Sequence, residues 1–140
     1  MPYATVFDLV SRFGARELIQ ITDRSEPPVD AIDETVAGKA LEDAAGVIDG
    51  YIRVRYSLPI EQPPALLVDI ACDLARYRLY ADRATDEVRR RNDAAMSMLR
   101  DLGAGRAKLD IAGVEASAAP SQVLIDLPPR NFTRDTMGRF

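Results

Sequence analysis

The chain has 140 residues, 47% of them hydrophobic and 29% charged, with 18 basic against 22 acidic side chains for a formal net charge of -4. This length supports one domain around one core, and this balance is that of an ordered globular protein. Histidine is absent, which removes the commonest general base and transition-metal ligand, and the acidic balance argues against a free-standing nucleic-acid binder, whose affinity rests on neutralising phosphates.

In chain order, Thr5 precedes VFDLVSRF, where Val6, Leu9, Val10 and Phe13 recur at helical spacing. Thr5 is placed to cap that helix, Asp8 suits its positive end, and Gly14 ends it. ARELIQIT offers Leu18, Ile19 and Ile21 as a second brief apolar face, and the adjacent prolines of DRSEPPVD then make residues 23–31 a loop. From about Asp33 to Arg55, Val36, Ala40, Leu41, Ala44, Val47, Ile48, Tyr51 and Ile52 hold a 3.6-residue period and predict the first long helix. Gly38, Gly46 and Gly50 lie inside it, each about 1 kcal/mol worse than Ala in an exposed interior, so close helix packing is expected at these positions.

YSLPIEQPP breaks that helix, and Pro63 and Pro64 stand where proline can open the next. PALLVDIACDLARYRLYA carries the strongest core signal, with Leu66, Leu67, Ile70, Ala71, Leu74 and Tyr77 or Arg78 facing inward, and predicts a helix through the centre of the domain. Thr85 caps a third long helix in which Val88, Ala95, Met96, Leu99 and Leu102 face inward, until GAG at 103–105 stops it. Beyond Gly105 the helical repeat fades, and KLDI and QVLIDL alternate as short strands do. The fold class read from these signals is mainly α: a compact bundle of about three long and two short helices over residues 1–105, followed by an extended C-terminal arm or short β-ribbon over 106–140.

The residues show no constellation for catalysis. There is no phosphate loop, dinucleotide fingerprint, HExxH, CxxC or GxSxG in the sequence, so no catalytic residue, cofactor site or metal site is expected. Asp30, Asp33 and Glu34 read as helix-capping acids, and Asp43 with Asp49, or Asp69 with Asp73, as solvated or arginine-paired residues in preference to ligands for a divalent cation. Cys72, the single cysteine, sits in an apolar stretch and reads as a core thiol. No apolar run approaches the roughly 20 residues of a membrane span, and the start lacks the pattern of an export signal, so the chain is expected to stay in the cytoplasm where it is made.

Sixteen of the 18 basic residues are arginine, as only Lys39 and Lys108 are lysine. The run Arg89, Arg90 and Arg91, with Arg76, Arg78 and Arg83, is the one basic concentration, and Asp73, Asp82, Asp86, Glu87 and Asp93 lie within helical reach of it. Contacts between subunits are the preferred reading for these arginines over contacts with phosphate. Residues 1–70 hold 6 basic and 12 acidic side chains, whereas residues 71–140 hold 12 and 10; opposite faces in a ring or separate solvated faces both account for this. A helix-turn-helix regulator is the weaker reading of DLVSRFGARELIQIT, because its second helix offers only Arg16, Glu17, Gln20 and Thr22 to a groove.

Several segments together resemble the family of small Mu-like prophage proteins encoded among the head genes: YATVFDLVSRFGARELIQITDR, IDGYIRVRYSLPI, PPALLVDIACDLARYRLY, LRDLGAGRAKLDI and RNFTRDTMGRF. Such chains are similar in turn to the helical head-to-tail adaptors of long-tailed phages. The resemblance implies a structural virion protein of the neck: a homo-oligomeric ring, a dodecamer beneath the portal protein, on which the tail terminator or stopper docks while DNA passes through the lumen. Interface anchors are expected at Phe132, Arg134, Met137 and Phe140 in the arm, since aromatics and arginine carry much interface energy. The exposed loops at 23–34 and 57–64 are the candidates for portal contact. A cytoplasmic assembly or packaging factor and a small DNA-binding regulator are the alternatives.

Overall fold

Thr5 and Thr85 begin the first and last helices among the described residues, as their positions predict. The Asp8 amide donates to Thr5 Oγ1 at 3.3 Å while the Thr5 amide donates to the Asp8 carboxylate at 2.8 Å, a reciprocal cap; Thr85 Oγ1 accepts from the Val88 amide at 3.3 Å. In the computed structural model, which describes residues 2–111, the elements are α1 (Val6–Phe13), α2 (Ala15–Thr22), α3 (Glu34–Ile52), α4 (Ala65–Tyr80), a single 3-10 turn (Ala81–Arg83) and α5 (Asp86–Ala104). The fold is mainly α, with three long and two short helices among the described residues. The arm anchors and the QVLIDL segment lie outside the described residues.

Helix α4 is the hub. It packs against both α3 and α5, which also touch each other, and α1 and α2 lie across α3 and α4. Leu67, Ile70, Ala71, Cys72, Leu74, Ala75 and Leu79 are all buried, so α4 is surrounded on most of its circumference, the condition expected of a central helix. Tyr77 is partly buried and Arg78 exposed; Arg76 and Leu79 take the inward positions at this end. Helices α3 and α5 meet at their C-terminal ends, where a Cβ at Gly103 would stand 3.0 Å from the Tyr51 carbonyl.

The glycines of α3 depart from expectation. Added Cβ atoms at Gly38, Gly46 and Gly50 would meet nothing within 4 Å, so close internal packing is not why they are there. The core face of α3 is carried by Ala37, Ala40, Leu41, Ala44, Ala45, Ile48 and Ile52, and Gly46 and Gly50 sit on the opposite, exposed face.

Past α5 the described chain turns back onto the body. Leu109 is buried, and its amide donates to the Tyr56 hydroxyl at 2.9 Å. Ala107 and Ile111 pack at the edge of the core. No strand is present among the described residues, so the KLDI segment meets the body through a side chain and a hydroxyl rather than a ladder.

Candidate functional site

The periodicity of α5 turns Val88, Ala95, Leu99 and Leu102 into the core and thereby sets Arg89, Arg90 and Arg91 on the outside, where all three are exposed. Arg91 Nε lies 3.3 Å from Glu87 and Arg89 Nη1 lies 3.9 Å from Asp86. Both pairs are solvated and contribute a few tenths of a kcal/mol at most. Among the described residues Arg90 takes part in no ion pair. This row is available to a partner, as is the outward continuation of α5 through Ala94 and Ser97, both exposed.

Arg76 is separate from this row. It is 8% exposed and points into the junction of α1, α2, α4 and α5. Its Nε and Nη2 donate to one oxygen of Glu17 at 3.0 and 2.7 Å, and the Tyr80 hydroxyl donates to the same oxygen. The guanidinium also lies over the Phe13 ring, 4.2 Å from its centroid, a stacked arrangement available to arginine and not to lysine. Nη1 has no hydrogen-bond partner among the described residues and faces Glu87 at 3.9 Å. Burial first, then the Glu17 carboxylate, raises the Tyr80 pKa, keeping the hydroxyl a donor. This cluster fastens helices distant in sequence, and it removes Glu17 from any groove-reading surface on α2. What remains exposed there is Arg16 and Gln20, too little for the helix-turn-helix reading.

A second joint closes the opposite end of the bundle. Arg55, just past α3, donates from Nε to the Gly103 carbonyl at 3.1 Å and from Nη2 to the Ala104 carbonyl at 2.8 Å, satisfying orphan acceptors at the end of α5. Gly105 caps that helix with φ +79°, and the space beside its Cα is filled by the Arg55 guanidinium, 2.4 Å from where a Cβ would stand. With Tyr56 holding Leu109, residues 106–111 leave α5 in a fixed direction.

The acidic residues divide as their neighbours dictate. Asp33 caps α3, accepting from the Thr35 and Val36 amides at 3.0 and 3.2 Å. Asp23 organises the 23–31 loop by accepting from the amides of Ser25, Val29 and Asp30, which lower its pKa. Asp69 pairs with Arg12, while Asp73 has its pKa raised, chiefly by burial, with Arg91 opposing the shift. Tyr3 donates to Asp49. The Cys72 thiol is fully buried and its pKa is pushed up to about 12, mainly by that burial, so it is an unreactive core group. Among the described residues no group of three or more potential ligands gathers as a metal site.

Both candidate loops border clefts. One of about 530 Å³ lies where α2 and α4 end, lined by Ile21, Leu79 and Tyr80 and flanked by Arg24 and Arg83. Another, about 640 Å³, lies beside Pro59, Ile60 and Pro63 and reaches Asp110 and Ile111. Residue periodicity finds the Arg89–Arg91 row, but not the two joints, whose members Glu17 and Arg76, or Arg55 and Gly103, are far apart in the chain. The only local signal for the first joint is Tyr80 one helical turn after Arg76.

No helix among the described residues is long and apolar enough to cross a membrane. Residues 3–125 match the model of the family described as Bacteriophage Mu, Gp36. The chain is 34% identical over 110 residues to the Mu-like prophage FluMu protein gp36 of Haemophilus influenzae, covering 79% of this chain and 77% of that protein. It is 31% identical over 143 residues to gene product J of Escherichia phage Mu, covering 99% of each. The chain, with five helices among its described residues and an outward arginine row, thus belongs to the bacteriophage Mu Gp36 family.

Proposed function

We propose that this chain is a structural protein of the virion neck, a head-to-tail connector adaptor that assembles with its own copies as a ring beneath the portal and gives the tail terminator or stopper its docking surface. The observation that carries the reading is the division of polar groups within a Mu-phage family member. The buried ones, Arg76, Glu17 and Tyr80, lock the helices to one another, while Arg89, Arg90 and Arg91 stand outside on a rigid helix. A body so built acts by geometry with other proteins, without catalysis.

In this reading the loops at 23–34 and 57–64 supply portal contacts, because each borders a cleft able to receive a side chain. Phe132, Arg134, Met137 and Phe140 anchor the arm on a neighbour, and DNA passes through the lumen of a dodecamer. Mass spectrometry of purified particles tests the assignment. The chain is expected at the same copy number as the portal protein; particles complete and infectious without it would refute the role and favour an assembly factor that leaves before maturation.

A further inference from the structure

The exposed face of α3 is unusual for a surface helix. Lys39, Glu42, Asp43, Gly46 and Gly50 are all exposed, as is Arg53 at the C-cap. At its centre two glycines face open space, with nothing within 4 Å of a Cβ built on either. Each weakens the helix relative to Ala and neither is required by a turn, a positive φ or an internal neighbour. Among the described residues Glu42 and Asp43 take part in no ion pair. The exposed face of α5 has the complementary chemistry: Arg90 and Arg91, then the small side chains of Ala94 and Ser97, with Asp101 beyond them, half-buried and paired with Arg106.

The geometry points to these two faces as the contact between neighbouring copies, α3 of one chain lying against α5 of the next; this rests on the ring reading above. Two independent features support the pairing. First, α3 and α5 touch each other with their C-terminal ends together, the arrangement of helices that point the same way, so rotation about an axis along the bundle sets α3 of one copy parallel to α5 of its neighbour, as a closed ring requires. Second, in that parallel sense, bringing Gly46 level with Ala94 brings Glu42 and Asp43 level with Arg90 and Arg91. The same register sets Lys39 level with Glu87 and Arg53 level with Asp101, so these four levels each match opposite signs. The glycines let the backbones approach at the middle of the contact, and the charges at either end fix its register.

A pair of charge-reversal variants of the full chain tests this by sedimentation velocity. Glu42→Lys with Asp43→Lys gives one protein, Arg90→Glu with Arg91→Glu the other. Each alone is expected to self-associate about tenfold or more weakly than the unaltered chain, since like charges then face each other. Mixed in equal amounts they are expected to associate again, because each then offers the face the other lacks. Gly46→Leu provides the steric arm: association is lost while the thermal midpoint stays level or rises.

The inference is overturned if either reversed protein associates like the unaltered chain, or if the mixture associates no better than its components. It is also overturned if Gly46→Leu leaves assembly unchanged, or if the unaltered chain stays monomeric at the highest concentration reached. None of these outcomes touches the adaptor assignment, which stands or falls on the copy number in particles.

Discussion

Arg76 and the row Arg89–Arg91 share a residue type and lie on consecutive long helices, yet their surroundings are opposite. Arg76 is held by the Glu17 carboxylate and stacked on the Phe13 ring, with only a tenth of its side chain exposed. The α5 arginines keep more than half of the side chain in water at Arg89 and Arg91, and their acidic neighbours are solvated. The difference lies in the helix faces. On α4 nearly every direction meets another helix, so a charged side chain there must bring its own acid and a ring to lie against. On α5 the core needs one stripe, and the opposite stripe remains for contacts outside the chain. The same chemistry is structural where it is enclosed and left to solvent where it is not.

The largest effect that would break this comparison is at the enclosed site. Arg76→Ala strands a largely buried Glu17 carboxylate and removes the Phe13 contact, so unfolding free energy is expected to fall by about 3 kcal/mol in denaturant titration. A loss under 1 kcal/mol would place Arg76 with the surface arginines. Gly105→Ala comes next, at about 1–2 kcal/mol, because its φ is positive and a Cβ would displace Arg55 from the α5 carbonyls. Thr85→Ala, which removes the α5 cap, is expected to cost about 1 kcal/mol. Gly50→Ala has the opposite sign: with open space beyond the Cα, it should stabilise the fold by up to about 1 kcal/mol. Replacing Arg89, Arg90 and Arg91 together by Ala should change the unfolding free energy least, within about 0.5 kcal/mol, while reducing incorporation into particles.

Asp73 sharpens the same contrast through pH. Its carboxyl pKa is raised in the fold, first by burial, so the protonated acid is favoured there. Its contribution to stability is therefore full below the usual carboxylate range and is lost as pH rises through the folded value. Asp73→Asn is expected to raise the thermal midpoint near neutral pH and to leave it unchanged in acid. A lowered neutral midpoint would mean that Arg91 holds the carboxylate more strongly than burial opposes it.

The helices were legible because their signals are local. Thr5 and Thr85 as caps, the 3.6-residue stripes of α3 and α5, and the prolines at 27, 28, 59, 63 and 64 each act within a turn or two of the chain. The joints were not, because Glu17 with Arg76 and Arg55 with Gly103 meet only once the bundle has formed. Sequence therefore grouped Arg76 with the exposed arginines, and it read Gly38, Gly46 and Gly50 as packing glycines when their open sides face away from every internal neighbour. Both errors have one source. A helical wheel gives the angle of a residue but not what stands opposite it, and on α4 and α3 that was decided by elements elsewhere in the chain.

A side-chain-resolution reconstruction of the neck of intact particles tests the proposed adaptor role most directly. The account predicts a ring of this chain between portal and tail, its α4 and α5 joints intact and its α5 arginines turned toward a neighbouring copy. A neck whose density is fully explained by other proteins would contradict it.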